Sequence, residues 1–337
     1  MLYTGIDLHK RTSVLSTVDA SGQIVAKAKL PNDRSALLSY FRQLPGPHQA
    51  TVEATGSWYW LADLLSDEAV DLRLGHAKYL KAIAYAKVKT DAVDANTLAQ
   101  LLRVEMIPEA HMISSDLRPI RDLMRARLRL VQKHVSARNS IHRLLEKYNV
   151  ADVPDLPPLV QIHAQCFVDQ CKLLKKQIKH IEQVLNPLLI PNDEVQRLLW
   201  IPGIGKIGAY TLHLEIDGIE RFASDRKFFS YCRLVPGSDN SGGRQRHKSS
   251  KDGNRYLKIV FSHAALRAIQ YFPEVRAFAQ RKARSKGKHL TRALVAKEIA
   301  RIVYHVMQSG QPFNGKFKGA TIEKPKQVVW PRRANPG

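Results

Sequence analysis

The sequence predicts a mixed α/β domain at the N-terminus, a long helical arm behind it, and a mainly α-helical domain with a glycine-rich turn at the C-terminal end. Three observations support that order. Residues 2–74 alternate short β-branched runs with amphipathic helices. From Leu117 onward, apolar residues recur at helical spacing over a far longer stretch. Residues 201–208, Ile-Pro-Gly-Ile-Gly-Lys-Ile-Gly, then interrupt the helical pattern with three glycines.

Residues 2–8 and 12–19 read as strands, and Ala20-Ser21-Gly22 turns the chain into a third strand over 23–30. Residues 33–44 form a helix with Leu37, Leu38 and Phe41 on one face. A short strand at 50–53, a helix at 57–66 and a strand at 70–74 follow, then helices at 77–86 and 92–104. Three strands in a meander followed by alternating helices and strands is the layout of an RNase H-like domain, a mixed sheet with helices on its faces.

Leu117, Ile120, Met124, Leu128, Val131, Val135 and Leu145 mark one helix running close to residue 149, rich in Arg and Lys. Pro154, Pro157 and Pro158 end it, and a second helix spans 159–185. The pair reads as a helical hairpin or coiled-coil arm. The turn at 201–205 resembles the hairpin of helix-hairpin-helix DNA binders, with Lys206 at the start of the next helix. A plain glycine-rich helix connection fits as well. Helices at 254–271 and 291–308 follow, joined by the basic segment 281–288, and the tail after Gln311 reads as flexible. The expected divisions are 1–112, 113–190, 191–312 and 313–337.

The 337 residues carry 53 Lys and Arg against 30 Asp and Glu, a net charge of +23. That balance favours a polyanionic partner, DNA or RNA, without specifying any chemistry. Residues 221–301 hold 20 basic and five acidic side chains, so much of the excess sits there. Cys166, Cys171 and Cys232 make no CxxC and no paired framework, so they are expected to be reduced thiols. No secretory h-region or membrane-length apolar run occurs, and a bacterial cytoplasmic location, on the nucleoid when active, is expected.

Acids are scarce, so their placement is informative. Asp7 lies in the first strand, Glu53 ends a later one, and Asp91 and Asp94 lie three residues apart at a helix start, on one face. In an RNase H-like sheet these positions converge. Four carboxylates there form a hard-oxygen cage suited to Mg²⁺, with Mn²⁺ as the alternative. Each acid also has a plainer reading: Asp7 as a strand end, Glu53 paired with Lys10 or Arg11, Asp91 and Asp94 as helix caps. His9 falls near the cluster with its role open.

Residues 232–255 form the second constellation. Ser241 precedes Gly242 and Gly243 among Arg244, Arg246, His247, Lys248, Lys251 and Arg255. A serine on a glycine corner, crowded by phosphate-binding side chains, can be held against a nucleic-acid backbone. A basic loop that only grips the polymer is the simpler reading of these residues by themselves.

Gly-Ile-Asp at 5–7, Glu-Ala-Thr-Gly at 53–56, Lys-Thr-Asp-Ala-Val-Asp-Ala at 89–95, Ile-Pro-Gly-Ile-Gly at 201–205 and Ser-Gly-Gly at 241–243 together resemble the DEDD transposases of the insertion-sequence one-ten family. These are relatives of the Piv DNA invertase and include bridge-RNA-guided recombinases. The resemblance implies a RuvC-like domain whose metal-binding and catalytic acids fall on Asp7, Glu53, Asp91 and Asp94. It implies a transposase domain whose nucleophilic serine falls on Ser241, with Ser238, Ser249 and Ser250 as rivals nearby. Donor and target DNA, a noncoding bridge RNA, and a homodimer assembling to a tetramer are the implied partners. Lys206, Arg244, Arg246, Lys248, Lys251 and Arg255 are the expected nucleic-acid contacts. Two other readings use the same residues: a Holliday-junction-resolving metal nuclease with water as nucleophile, and a site-specific DNA invertase. A binding protein without catalysis would need neither the acids nor the serine.

Overall fold

The computed structural model describes residues 1–68, 70–83, 90–241, 244–249 and 252–322, with backbone only over 237–241 and 244–249. The chain divides into two compact units, Met1–Ser115 and Asp116–Gly337. Among the described residues no helix is long and apolar enough to cross a membrane.

The first unit is built on β1 (Leu2–Leu8), β2 (Thr12–Val18), β3 (Ile24–Pro31), β4 (His48–Glu53) and β5 (Val70–Gly75). Their order across the sheet is β3-β2-β1-β4-β5. The pairings β3/β2 and β2/β1 are antiparallel, and β1/β4 and β4/β5 are parallel. Side chains alternate between the faces of a strand, and here each face has its own cover. Ile6, Leu15, Ala50 and Val52 pack with α1 (Arg34–Arg42) and α2 (Tyr59–Ser66), through Leu37, Phe41, Trp58, Leu61 and Leu65. Asp33 caps α1 by accepting the Ala36 N–H at 2.9 Å.

The opposite face takes α3 (Ala77–Ile83) and α4 (Asp91–Arg103), through Leu80, Leu98 and Leu102. Ala95, Leu98, Ala99 and Leu102 are all buried, the i, i+3, i+4, i+7 stripe of a helix with one face on a sheet. Two small residues in that stripe bring α4 down onto β1. Gly5 completes the fit, since a Cβ there would stand 2.0 Å from the Ala95 carbonyl oxygen and 2.5 Å from the Ala99 nitrogen. The residues between α3 and α4, 84–89, lie outside those described.

In the second unit, α5 (Leu117–Tyr148) and α6 (Pro158–Leu188) form the expected helical hairpin. Arg127 reaches Glu182 near one end and the Cys171 thiol faces the His134 carbonyl farther along, so the helices run antiparallel. Asn149, with φ of +50°, closes α5 in the left-handed conformation. Next come α7 (Asp193–Leu199), α8 (Lys206–Ile216), α9 (Asp225–Tyr231), α10 (Arg255–Tyr271) and α11 (Pro273–Ser309). Phe228, Phe229 and Phe261 are fully buried at their centre.

Three expectations need correction. The stretch read as a basic loop contains a hairpin, β6 (Pro236–Ser241) with β7 (Arg244–Ser249). The basic segment expected to join two helices is itself mostly helical: a helical stretch runs from Pro273 to a kink at Gly287, at φ +74° and ψ 162°, and the helix expected from 291 follows that kink and ends at Ser309. The beginning of the tail is ordered rather than flexible. Phe317 is 1 % exposed on the short hairpin of β8 (Lys316–Phe317) and β9 (Ala320–Thr321), beside Phe278, and apolar burial anchors it. Residues 323–337 lie outside those described.

Candidate active site

Strand register sets Asp7 beside Glu53. Ile6 pairs with Val52 across β1 and β4, so Asp7 and Glu53 stand together on the following rung. Asp7 also pairs with Val14, Val14 with Lys29, and Glu53 with Gly75. Asp7 shares its face with Gly5, the residue on which α4 is seated, because side chains two apart on a strand point the same way. The first turn of α4 therefore overhangs Asp7.

Thr90, rather than either aspartate, caps that helix: its Oγ1 accepts the Val93 N–H at 3.3 Å. The capping role considered for Asp91 and Asp94 is thus taken by a neighbour. Ser16 donates to Asn96 at 3.3 Å, Gln100 to the Gly22 carbonyl at 2.8 Å, and Arg103 to the Ala20 carbonyl at 3.4 Å. These bonds fix the azimuth of α4 and so the direction in which its acids project.

His9 joins the group directly. Its Nε2 lies 3.3 Å from Asp7 Oδ2 and 3.2 Å from Asp91 Oδ2. Asp7, His9 and Asp91 each present one ligand atom, all within 4.8 Å of one another. Glu53 flanks them on the adjacent strand, and Asp94 sits one turn farther along α4. Glu53 and Asp91 are exposed, Asp7 and Asp94 half-buried. Hard carboxylate oxygens with one imidazole nitrogen, open to solvent on one side, suit a divalent cation that must also meet a substrate. A groove beside Asp91 is lined by Ser16, Lys27, Lys29 and Thr90. Its two lysines alternate along β3, and sequence reasoning passed over them because strand cations usually only solvate an edge.

The second constellation is described by its backbone. Ser241 and Arg244 form the last register pair of the β6/β7 hairpin, and Arg246 and Lys248 pair with Asp239 and Gly237. Gly242, Gly243, Ser250 and Lys251 lie outside the described residues. The base of this hairpin is tied down firmly. Arg233 donates to the Gly253 carbonyl at 2.7 Å, and the Asn254 N–H to the Tyr231 carbonyl at 2.5 Å. Gly253, at φ +92°, has no room for a Cβ, which would lie 2.3 Å from the Tyr231 carbonyl oxygen.

Asn254 caps α10 through its Oδ1, and its Nδ2 donates to Glu215 Oε2 at 2.6 Å. Arg125, on α5, grips the same carboxylate through Nε and Nη2, both at 2.6 Å. Burial pulls down on the Arg125 guanidinium, but the Glu215 hydrogen bonds and charge outweigh it and hold its pKa above the ordinary value. Arg255 opens α10 with its guanidinium 5.9 Å from the Tyr256 ring.

The glycine turn has a packing reason of its own. Gly203, at φ +81°, presses on α10, where a Cβ would lie 2.1 Å from the Ala264 carbonyl oxygen. Gly205 has open space around it and precedes Lys206, whose Nζ lies 3.1 Å from Asn186 Oδ1.

Residues 4–150 match the family model of the DEDD transposases of the IS110 type, and residues 195–280 match that of the IS116/IS110/IS902 transposase family. A probable family 20 transposase of Pseudomonas aeruginosa is 26% identical over 292 residues, covering 79% of this chain and 83% of its own. A putative transposase of Sinorhizobium fredii is 25% identical over 334 residues, covering 92% and 84%. The transposase for insertion sequence element IS1328 of Yersinia enterocolitica is 24% identical over 336 residues, covering 92% and 98%.

Proposed function

The chain belongs to the IS110 family of insertion-sequence transposases, and from that premise we propose that it recombines DNA through a phosphoserine intermediate, with Ser241 as nucleophile and the Asp7–Glu53–Asp91–Asp94 carboxylates as its metal site. The observation that supports the metal-site half of this reading is the seating of α4 on Gly5, which brings Asp91 and Asp7 to the same imidazole with Glu53 one strand away; the serine half rests on the family. The strand order β3-β2-β1-β4-β5, antiparallel then parallel, supports an RNase H-like, RuvC-like assignment for this unit.

Asp7, Glu53, Asp91 and Asp94 hold the divalent cation, Mg²⁺ or Mn²⁺; when bound, it supplies Lewis-acid polarisation of a scissile phosphodiester. Ser241 Oγ attacks phosphorus and gives up its proton, a new O–P bond forms as the P–O bond to one strand breaks, and a proton is taken up by the departing oxygen. That strand departs as a free hydroxyl. After strand exchange, a hydroxyl attacks the phosphoserine and returns the serine, resealing DNA without an added nucleotide. Splitting one hard displacement into two is the advantage of covalent catalysis. Arg244, Arg246, Lys248, Lys251 and Arg255 position the backbone and balance its charge, with Lys206 and the turn before it as a further phosphate contact. The strongly basic second unit suits donor and target DNA together with a guiding noncoding RNA. The working assembly is a homodimer pairing into a tetramer, each phosphodiester meeting one serine and one carboxylate set.

Trapping on labelled DNA bearing the ends of the element, with the flanking RNA supplied, tests the nucleophile. The wild-type chain is expected to leave a covalent adduct that survives denaturant, and Ser241→Ala to leave none. Full DNA cutting by Ser241→Ala overturns the serine mechanism and favours a nuclease that uses water.

A further inference from the structure

We propose that His9 is a nitrogen ligand of the cation held by the carboxylates of the first unit, and that this ligand turns the site toward Mn²⁺ over Mg²⁺. The inference rests on the metal-dependent reading above and adds to it a residue outside the four acids.

Position is the first support. His9 lies just past the end of β1, two residues beyond Asp7, where the turn into β2 begins. Its Nε2 lies 3.3 Å from Asp7 Oδ2 and 3.2 Å from Asp91 Oδ2, between two of the four acids. One ion can therefore meet all three ligand atoms, which lie within 4.8 Å of one another.

Rigidity is the second. The His9 N–H donates to the Thr12 carbonyl at 3.0 Å, and Asn32 Nδ2 donates to the His9 carbonyl at 2.7 Å. Asn32 is itself held, accepting from Ser13 Oγ at 2.7 Å and donating its N–H to the Arg11 carbonyl at 2.9 Å. These bonds fix the His9 backbone beside the cluster, and the ring is placed by its two carboxylate neighbours. A solvated surface histidine needs no such bracing.

Chemistry sets the preference. Mg²⁺ favours octahedra of oxygen and retains several waters. Mn²⁺ accepts carboxylate oxygen as readily and sits higher for nitrogen donors. An imidazole added to a carboxylate set thus favours the transition metal. A His9 that merely hydrogen-bonds to the carboxylates, with no part in metal binding, would occupy the same place, so the test needs a direct spectroscopic readout.

The experiment is Mn²⁺ titration of the full chain by electron paramagnetic resonance, with electron spin echo measurement of nitrogen coupling to the bound ion. Mg²⁺ affinity follows from competition. The wild-type chain is expected to show nitrogen coupling. His9→Ala should lose that coupling and bind Mn²⁺ about tenfold or more weakly, with a much smaller change for Mg²⁺. His9 has a 45% exposed side chain, so the variant should fold, and circular dichroism checks that it has. Undiminished Mn²⁺ affinity in His9→Ala, or no nitrogen coupling in the wild type, overturns the inference; if Asp7→Asn then abolishes binding, the carboxylate site itself stands. If Asp7→Asn and Asp91→Asn bind Mn²⁺ as the wild type does, or the wild type binds none, the metal-site reading fails and this inference fails with it.

Discussion

Glu215 is 3 % exposed and accepts three hydrogen bonds, two from Arg125 and one from Asn254. A carboxylate so far from water is stable only while its partners remain, because the desolvation already imposed on it is large. Glu215→Ala leaves the Arg125 guanidinium without its carboxylate and takes the acceptor from Asn254 Nδ2 at the start of α10. The expected loss is on the order of 3 kcal/mol in a urea melt. A loss below about 0.5 kcal/mol would mean that water replaces the carboxylate at no net expense. None of this was legible in the sequence, where the partners lie 90 and 39 residues away and each looks like an ordinary helix residue. The acids at 7, 53, 91 and 94 stand out in the sequence because carboxylates are scarce and their places in the predicted fold converge; the structure brings Asp7 and Asp91 to one imidazole. His9 was noticed only as a neighbour. Its contact with Asp91 depends on how α4 crosses the sheet, which no local pattern reveals.

At the scale of elements, α4 couples sequence to site most directly. Its alanines and leucines are ordinary for a helix, but they work only because β1 offers a glycine at the crossing point. Gly5→Ala is expected to push α4 off the sheet by overpacking against backbone, destabilising the first unit by about 1–3 kcal/mol. Because the shift also carries Asp91 away from Asp7, Mn²⁺ affinity should fall even where the variant remains folded; unchanged affinity in a folded Gly5→Ala would detach the site from the helix crossing. The strand meander and the two long helices were legible because apolar periodicity distinguishes them. The β6/β7 hairpin was not. Pro-Gly-Ser-Asp-Asn-Ser and Arg-Gln-Arg-His-Lys-Ser have no apolar face, so neither period appears in them. Likewise, the run 281–286, with Ala283 its one apolar residue, gave no sign of helix, and Gly287 marks the kink between the two helical stretches of α11.

For the whole molecule, the charge of +23 governs how nucleic acid is met before any chemistry begins. Each phosphate neutralised by Lys or Arg releases condensed counterions, so binding weakens steeply with salt. Fluorescence anisotropy across a salt series should show that Arg244→Ala with Arg246→Ala lowers the slope magnitude by about two, affecting all DNA sequences alike. An unchanged slope would remove both arginines from the phosphate contacts. The recombinase reading makes the further claim that the carboxylates of one unit and Ser241 of the other act on the same phosphodiester. Adduct yield on labelled element-end DNA, measured for Asp7→Asn and Ser241→Ala separately, tests that claim most directly. Neither variant is expected to form the covalent link; wild-type adduct levels in Asp7→Asn would contradict it, by showing that the serine needs no help from the carboxylates.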